Sequence, residues 1–224
     1  MRSFLTVASL AFGLCAFPPP PNAVSQTTPA DAIPSGPGHL LLEKPFTAGG
    51  TVVLTMNVGD VKVLPAPGSG AVRLQINTDQ QLDRQTLASW VTRFDVAANR
   101  ATLDVHIPKR GYNCDHCSTN VVLYVPQQSD LKIDLSVGDL TITGIRGDKD
   151  LHLSIGDLRV GFTGPGEYAH VETHTRIGDI HDPLHHGEES GFLGKTEDFD
   201  LQGRYHLKAT VGIGDLDLQR EGNS

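Results

Sequence analysis

DLKIDLSVGDLTITGIRGDKDLHLSIGDLRV, residues 130–160, holds two copies of one pattern. Leu131, Ile133, Leu135 and Val137 alternate with polar residues, as in a strand with one buried face, where every second side chain points the same way. The next aliphatic, Leu140, comes three residues later, and Ile142 follows two after that. Alternation breaks at Gly138-Asp139 and then resumes, the mark of a strand that turns a corner while keeping its apolar side chains inward. Leu151, Leu153 and Ile155, then Leu158 and Val160, repeat the pattern about Gly156-Asp157. Leu207, Ala209, Val211 and Ile213, then Leu216 and Leu218, repeat it about Gly214-Asp215.

Two further copies lie at Gly59-Asp60 (NVGDVKV) and Gly178-Asp179 (RIGDI). At each of the five, glycine reaches backbone angles closed to other residues, and the aspartate accepts a hydrogen bond from a nearby backbone N–H, closing the corner. The glycines at 156, 178 and 214 leave intervals of twenty-two and thirty-six residues, the second being twice the eighteen that separate Gly138 from Gly156. A degenerate copy at Glu197–Leu201 is therefore expected in the long interval. A short repeat that always turns the same way stacks into a coil, so the pattern predicts an all-β, single-stranded parallel β-solenoid. Alternation over four to seven residues, rather than an aliphatic every sixth, favours the right-handed form. Leu87, Trp90, Val91 and Phe94 fall at helical spacing behind Asp83, which predicts a short helix capping the N-terminal end of the coil.

Met1-Arg2-Ser3 followed by the apolar run Phe4 to Phe17 has the form of a secretory signal, with Ala23-Val24-Ser25 as the small-x-small cleavage site. Cys15 lies near the end of the apolar run, but Leu14 ahead of it is too large for a lipoprotein signal, so a lipid anchor is not expected. The organisation expected is a signal peptide at 1–25, a Pro-rich linker at 26–48 and the solenoid at 49–220. No later stretch is apolar for long enough to span a bilayer as a helix. Eighteen basic against twenty-six acidic residues give a formal charge of -8, which argues against nucleic acid as a partner. Export places the protein in the periplasm, at the cell surface or outside the cell.

Cys114-Asp115-His116-Cys117 holds the only cysteines outside the leader. In an oxidising compartment a disulfide between Cys114 and Cys117 is the first reading. Thioredoxin-type chemistry needs such a pair at a helix start in a βαβ unit, and zinc needs four ligands, so redox and metal roles are the alternatives. His170, His174, His181, His185 and His186 gather around the segment HDPLHHGEESG, where the repeat lengthens. Solvated loop histidines are the plain reading, a transition-metal site the sharper one. The five corner carboxylates leave room for a divalent cation; otherwise no cofactor is expected. No catalytic residue is assigned. Asp134, His152, Glu172 and Arg159 point outward by parity, but nothing pairs two carboxylates at a working distance. Arg146-Gly147-Asp148 spells a cell-attachment tripeptide and reads as a turn.

The series from Leu123-Tyr124-Val125-Pro126 through residues 130–160 resembles the bacterial putative-adhesin family of β-helix proteins, a domain of unknown function, over roughly Gly49 to Leu218. The resemblance implies a surface or periplasmic interaction module without established catalytic residues. The function expected is thus a non-enzymatic adhesion, scaffolding or sensing module that meets a protein or glycan at the cell surface. The alternatives are a periplasmic metal-binding or redox-linked protein using the CxxC loop and the histidine-rich insertion and, more weakly, a carbohydrate-active enzyme.

Overall fold

Period-two alternation becomes strand through most of the chain, in a computed structural model that describes residues 36–68, 70–108, 119–164, 166–184 and 193–222. In chain order the strands are β1 (His39–Pro45), β2 (Thr51–Val58), β3 (Asp60–Pro65), β4 (Ala71–Thr78), β5 (Val91–Ala97), β6 (Arg100–Val105), β7 (Thr119–Val125) and β8 (Asp130–Val137). There follow β9 (Leu140–Ile142), β10 (Lys149–Ile155), β11 (Leu158–Phe162), β12 (Tyr168–Ile177), β13 (Ile180–His181), β14 (Leu193–Asp200), β15 (Tyr205–Ile213) and β16 (Leu216–Arg220). Among the described residues one helix, α1 (Arg84–Trp90), joins β4 to β5.

These strands form two eight-stranded sheets, not one coil. Sheet I runs β1-β4-β7-β3-β9-β11-β16-β13, and sheet II runs β14-β12-β15-β10-β8-β2-β6-β5. In sheet II the run from β12 to β6 is parallel, with β14 and β5 antiparallel at its edges. In sheet I the run from β7 to β13 is parallel, and β4 and β1 add antiparallel strands at one end. The expected single-stranded parallel β-solenoid is therefore corrected to a pair of mixed sheets.

Two features defeat the solenoid reading. Strand order is not chain order: β15 lies between β10 and β12, and β2 lies between β8 and β6. The first of these follows from the antiparallel pairing of β14 with β12. With β14 covering the outer edge of β12, the next strand can pair with β12 only on its inner side. The burial pattern agrees, since β15 turns Leu207, Ala209 and Val211 inward, while β12 turns in Val171, Thr173 and Thr175. The more polar strand sits nearer the end of the core. Secondly, Glu197–Leu201, expected as a degenerate corner, falls on antiparallel β14 and just beyond it.

The parity assignments hold along the strands and fail at the last residue of β8, β10 and β15. Leu131, Ile133, Leu135, Leu140, Ile142, Leu151, Leu153, Leu158, Val160, Leu207, Ala209, Val211, Leu216 and Leu218 are buried in one core that both sheets share. Val137, Ile155 and Ile213, which alternation groups with them, are 42%, 46% and 47% exposed. β1 begins at His39, ten residues ahead of Gly49, within the stretch assigned to the linker.

The helix is shorter than its apolar spacing suggests: Val91 and Phe94 belong to β5. Asp83 caps it, accepting a hydrogen bond from the backbone N–H of Thr86 at 2.8 Å, which holds its carboxyl below the usual range. Leu87 and Trp90 are buried and close the apolar space where β4 of sheet I hands over to β5 of sheet II.

Candidate contact surfaces

The corners build one continuous structure. Gly59, Gly138, Gly156, Gly214 and Gly178 take φ of 121°, 128°, 134°, 135° and 138°. They also stack without room for a side chain: a Cβ on Gly138 would lie 2.2 Å from the carbonyl oxygen of Gly59, and on Gly156 2.0 Å from that of Gly138. The aspartates form a hydrogen-bonded ladder beside them. Asp60 Oδ1 accepts from the backbone N–H of Asp139 at 3.1 Å, Asp139 from Asp157 at 3.0 Å, Asp157 from Asp215 at 3.1 Å, and Asp215 from Asp179 at 2.8 Å. Parallel strands lie about 4.8 Å apart, so without these donors five carboxylates would repel along the whole edge. Each N–H places a positive dipole end between two of them. Lys195 closes the ladder on Asp179 at 2.5 Å.

A second carboxylate ladder, which sequence reasoning missed, stands at the start of the sheet II strands. Asp130 accepts from the N–H of Asp148 at 2.9 Å, and Asp148 from that of His206 at 2.8 Å. Asp148 belongs to the Arg146-Gly147-Asp148 tripeptide, whose buried glycine abuts the carbonyl of Ser129. The tripeptide thus forms part of a corner. The signal that could have found this ladder is the Gly147-Asp148 pair itself, which lacks only the flanking aliphatics of the other five.

Between the two ladders lies the outer face of sheet II, where register sets side chains in rows. One row runs Val53, Lys132, Asp150, Lys208, Glu172, Asp198. Lys132 donates to Asp150 at 2.6 Å, and Lys208 to both oxygens of Glu172 at 2.8 and 2.9 Å, a contact that raises the lysine pKa. The next row runs Asp104, Thr55, Asp134, His152, Thr210, His174, Thr196. Toward the strand starts, His206 stands beside His170, with ring centroids 6.4 Å apart. His170 donates to Asp200 at 2.9 Å and lies 3.5 Å from Asp198. The Asp200 hydrogen bond, aided by the charges of Asp198, Asp200 and Glu172 against some desolvation, raises its pKa.

Of the histidines singled out by sequence, His170, His174 and His181 are described, and they are spread apart. His170 and His174 share a face of β12 but are four residues apart on a strand, roughly 13 Å. His181 lies on β13, across the Gly178 corner in sheet I. Among the described residues no three His, Cys, Asp or Glu side chains are grouped to hold a metal ion. His185, His186, Cys114 and Cys117 lie outside the described residues. Of the outward quartet, Asp134 and His152 are register neighbours and Glu172 stands two strands beyond His152, whereas Arg159 is in sheet I beside Asp157 at 3.4 Å.

Beneath the face lies a buried ion pair. Lys149 begins β10 at an inward position, its side chain 0% exposed, with Glu167 at 3.6 Å and 4% exposed. Glu167 accepts from the N–H and hydroxyl of Thr163 at 2.7 and 2.9 Å, and the Lys149 ammonium lies 4.9 Å from the centre of the Tyr168 ring. Desolvation lowers the lysine pKa against the opposing pull of Glu167. This cluster ties the start of β10 to the start of β12 across the intervening β15.

No protein-family model matches the chain, and no curated protein does. Among solved structures it is similar to a putative cell adhesion protein from Clostridium sporogenes ATCC 15579, at 11% identity and a TM-score of 0.50, covering 81% of this chain and 99% of that one. At that identity the likeness establishes the fold alone. Putative adhesins from Bacteroides fragilis NCTC 9343 and Parabacteroides distasonis ATCC 8503 are 10% and 12% identical over 80% of this chain and 97% of each of theirs. Their TM-scores of 0.24 and 0.21 carry no argument.

Proposed function

We propose that this protein is an exported, non-enzymatic adhesion, scaffolding or sensing module that meets a protein or glycan at the cell surface through the outer face of sheet II. The observation that carries the reading is the row Lys132, Asp150, Lys208, Glu172, Asp198, flanked by His152, Thr210 and His174. Its side chains stand in register across four parallel strands and antiparallel β14, with Lys132 paired to Asp150 and Lys208 to Glu172, so little side-chain freedom is lost when a partner arrives. Alternating donors and acceptors on an open sheet face suit the hydroxyls of a glycan or the polar surface of a protein, and a surface of this kind reads shape and hydrogen bonding over a wide area.

The test is a glycan array and a surface-display binding assay with the wild type and with a variant carrying Lys208→Ala, Glu172→Ala and His152→Ala. These side chains stand on the outer face, so the fold is retained. Binding that the wild type shows and the variant loses at least tenfold supports the reading. Equal binding by both places the contact surface elsewhere.

A further inference from the structure

Every large hydrophobic side chain exposed among the described residues lies on one line. Val58 pairs in register with Val137, Val137 with Ile155, Ile155 with Ile213, Ile213 with Ile177, and Ile177 with Leu193. Val137, Ile155 and Ile213 are 42–47% exposed and Leu193 is 69% exposed. The ridge crosses six adjacent strands, about 24 Å at the usual strand spacing. It stands beside the Asp60-Asp139-Asp157-Asp215-Asp179 ladder, two residues further along each chain. Arg159 and Lys195 pair with Asp157 and Asp179, while Asp60, Asp139 and Asp215 have no basic partner among the described residues.

Val58 and Ile177 are half-buried, and Val58 packs against the core, but Val137, Ile155 and Ile213, exposed at the same point of three corners, stand outside the buried core and need a reason beyond folding. The geometry points to a docking ridge for a basic amphipathic helix of another protein, its apolar stripe on the Val-Ile ladder and its lysines or arginines along the aspartate ladder.

Spacing selects the helix. A helix presents one side chain per turn along a face, about every 5.4 Å, and so departs from the ladder's step of about 4.8 Å by only about 0.6 Å per turn. An extended strand laid along the ridge repeats each face at about 6.7 Å and departs by about 1.9 Å at every step. Charge selects a basic flank. A second copy of this chain would bring a like acidic edge and a like formal charge of -8, which opposes self-association. The ridge lies apart from the polar rows of sheet II, so this inference stands or falls independently of the proposed function.

The experiment titrates the full-length protein with an 18-residue helical peptide carrying leucines at i, i+3, i+4 and i+7 spacing and lysines along one flank. A second peptide has glutamate for each lysine. Fluorescence anisotropy at low salt is expected to give saturable binding of the lysine peptide, at least tenfold tighter than the glutamate peptide. Ile155→Ser with Ile213→Ser is expected to weaken it at least tenfold. Asp139→Asn with Asp215→Asn keeps both carbonyl acceptors of the ladder, and so the fold, and is expected to reduce both the affinity and its salt dependence. No saturable binding, equal binding of the two peptides, or unchanged binding by the Ile155→Ser/Ile213→Ser variant would overturn the inference. Sedimentation showing a dimer that the same serine variant abolishes would overturn it in favour of a second copy.

Discussion

Gly156→Ala strikes the corner stack at its centre. The residue sits at φ 134°, and the new Cβ would lie 2.0 Å from the carbonyl oxygen and 2.7 Å from the carbonyl carbon of Gly138, both backbone atoms with no rotamer to escape into. A non-glycine residue held in that region costs about 1–3 kcal/mol. Relief of the clash requires β10 to move away from β8, which weakens the bonds from Gly138 N–H to Ile155 at 3.0 Å, from Leu140 N–H to Asp157 at 2.9 Å and from Asp157 N–H to Asp139 at 3.0 Å. At about 1 kcal/mol each, the loss of two of these with the strain gives a total of roughly 3–5 kcal/mol. In a domain of this size that lowers the melting temperature by roughly 6–20 °C. Urea denaturation followed by far-ultraviolet circular dichroism measures the change. Gly164→Ala is the control, since a Cβ there meets nothing within 4 Å. A Gly156→Ala loss no larger than about 1 kcal/mol, or equal to that of the control, would refute the account of the corner.

Three further outcomes follow from the same contacts. Asp139→Ala strips the acceptor from the Asp157 N–H and is expected to cost about 1.5–3 kcal/mol, whereas Asp139→Asn keeps an oxygen there and costs about 1 kcal/mol or less, both read by thermal denaturation. Because its folded pKa is raised, His170 contributes stability that is complete below its unfolded pKa of about 6.5 and lost as pH rises through the higher folded value. Proton NMR should place its midpoint above 6.5, and Asp200→Asn should lower that midpoint. Lys149→Met leaves Glu167 buried without its cation, at an expected cost of about 3–5 kcal/mol in urea denaturation, and Glu167→Gln added to it should restore much of the loss.

Much of this molecule is written in residues 130–160 and their echoes. Alternation names the buried face of β8, β10 and β15, and the repeated Gly-Asp pair locates the turns. The neighbour of each strand is not written there. The inward set Leu131, Ile133, Leu135 is as acceptable beside Leu151 and Leu153 as beside Ala209 and Val211, because period two specifies a face and says nothing of which strand lies alongside. The order was decided instead by β14, whose segment LGKTEDFD has weak alternation and whose antiparallel pairing forces β15 inward. β1 escaped notice for a related reason: HLLLEKP has three adjacent leucines and borders a proline-rich stretch. The ridge was hidden by parity itself, which places Val137, Ile155 and Ile213 with the core. Only the corner reveals that the last inward position of each strand lies at the rim. The rows of sheet II were half legible, since each outward residue could be named but its cross-strand partner depends on the unforeseen order.

Both surface ladders depend on β15 lying between β10 and β12. In a background with Cys114 and Cys117 replaced by serine, cysteines at His152 and Thr210 face each other on adjacent parallel strands, whereas cysteines at His152 and His174 are separated by a whole strand. A disulfide requires Cα atoms within about 7 Å, which adjacent strands satisfy and strands two apart, at roughly 9.6 Å, do not. The account predicts that mild oxidation cross-links the His152→Cys/Thr210→Cys pair and leaves the His152→Cys/His174→Cys pair as free thiols, measured by thiol labelling and peptide mass spectrometry. Cross-linking of the second pair without the first would mean that the strands follow chain order and that neither ladder exists as described.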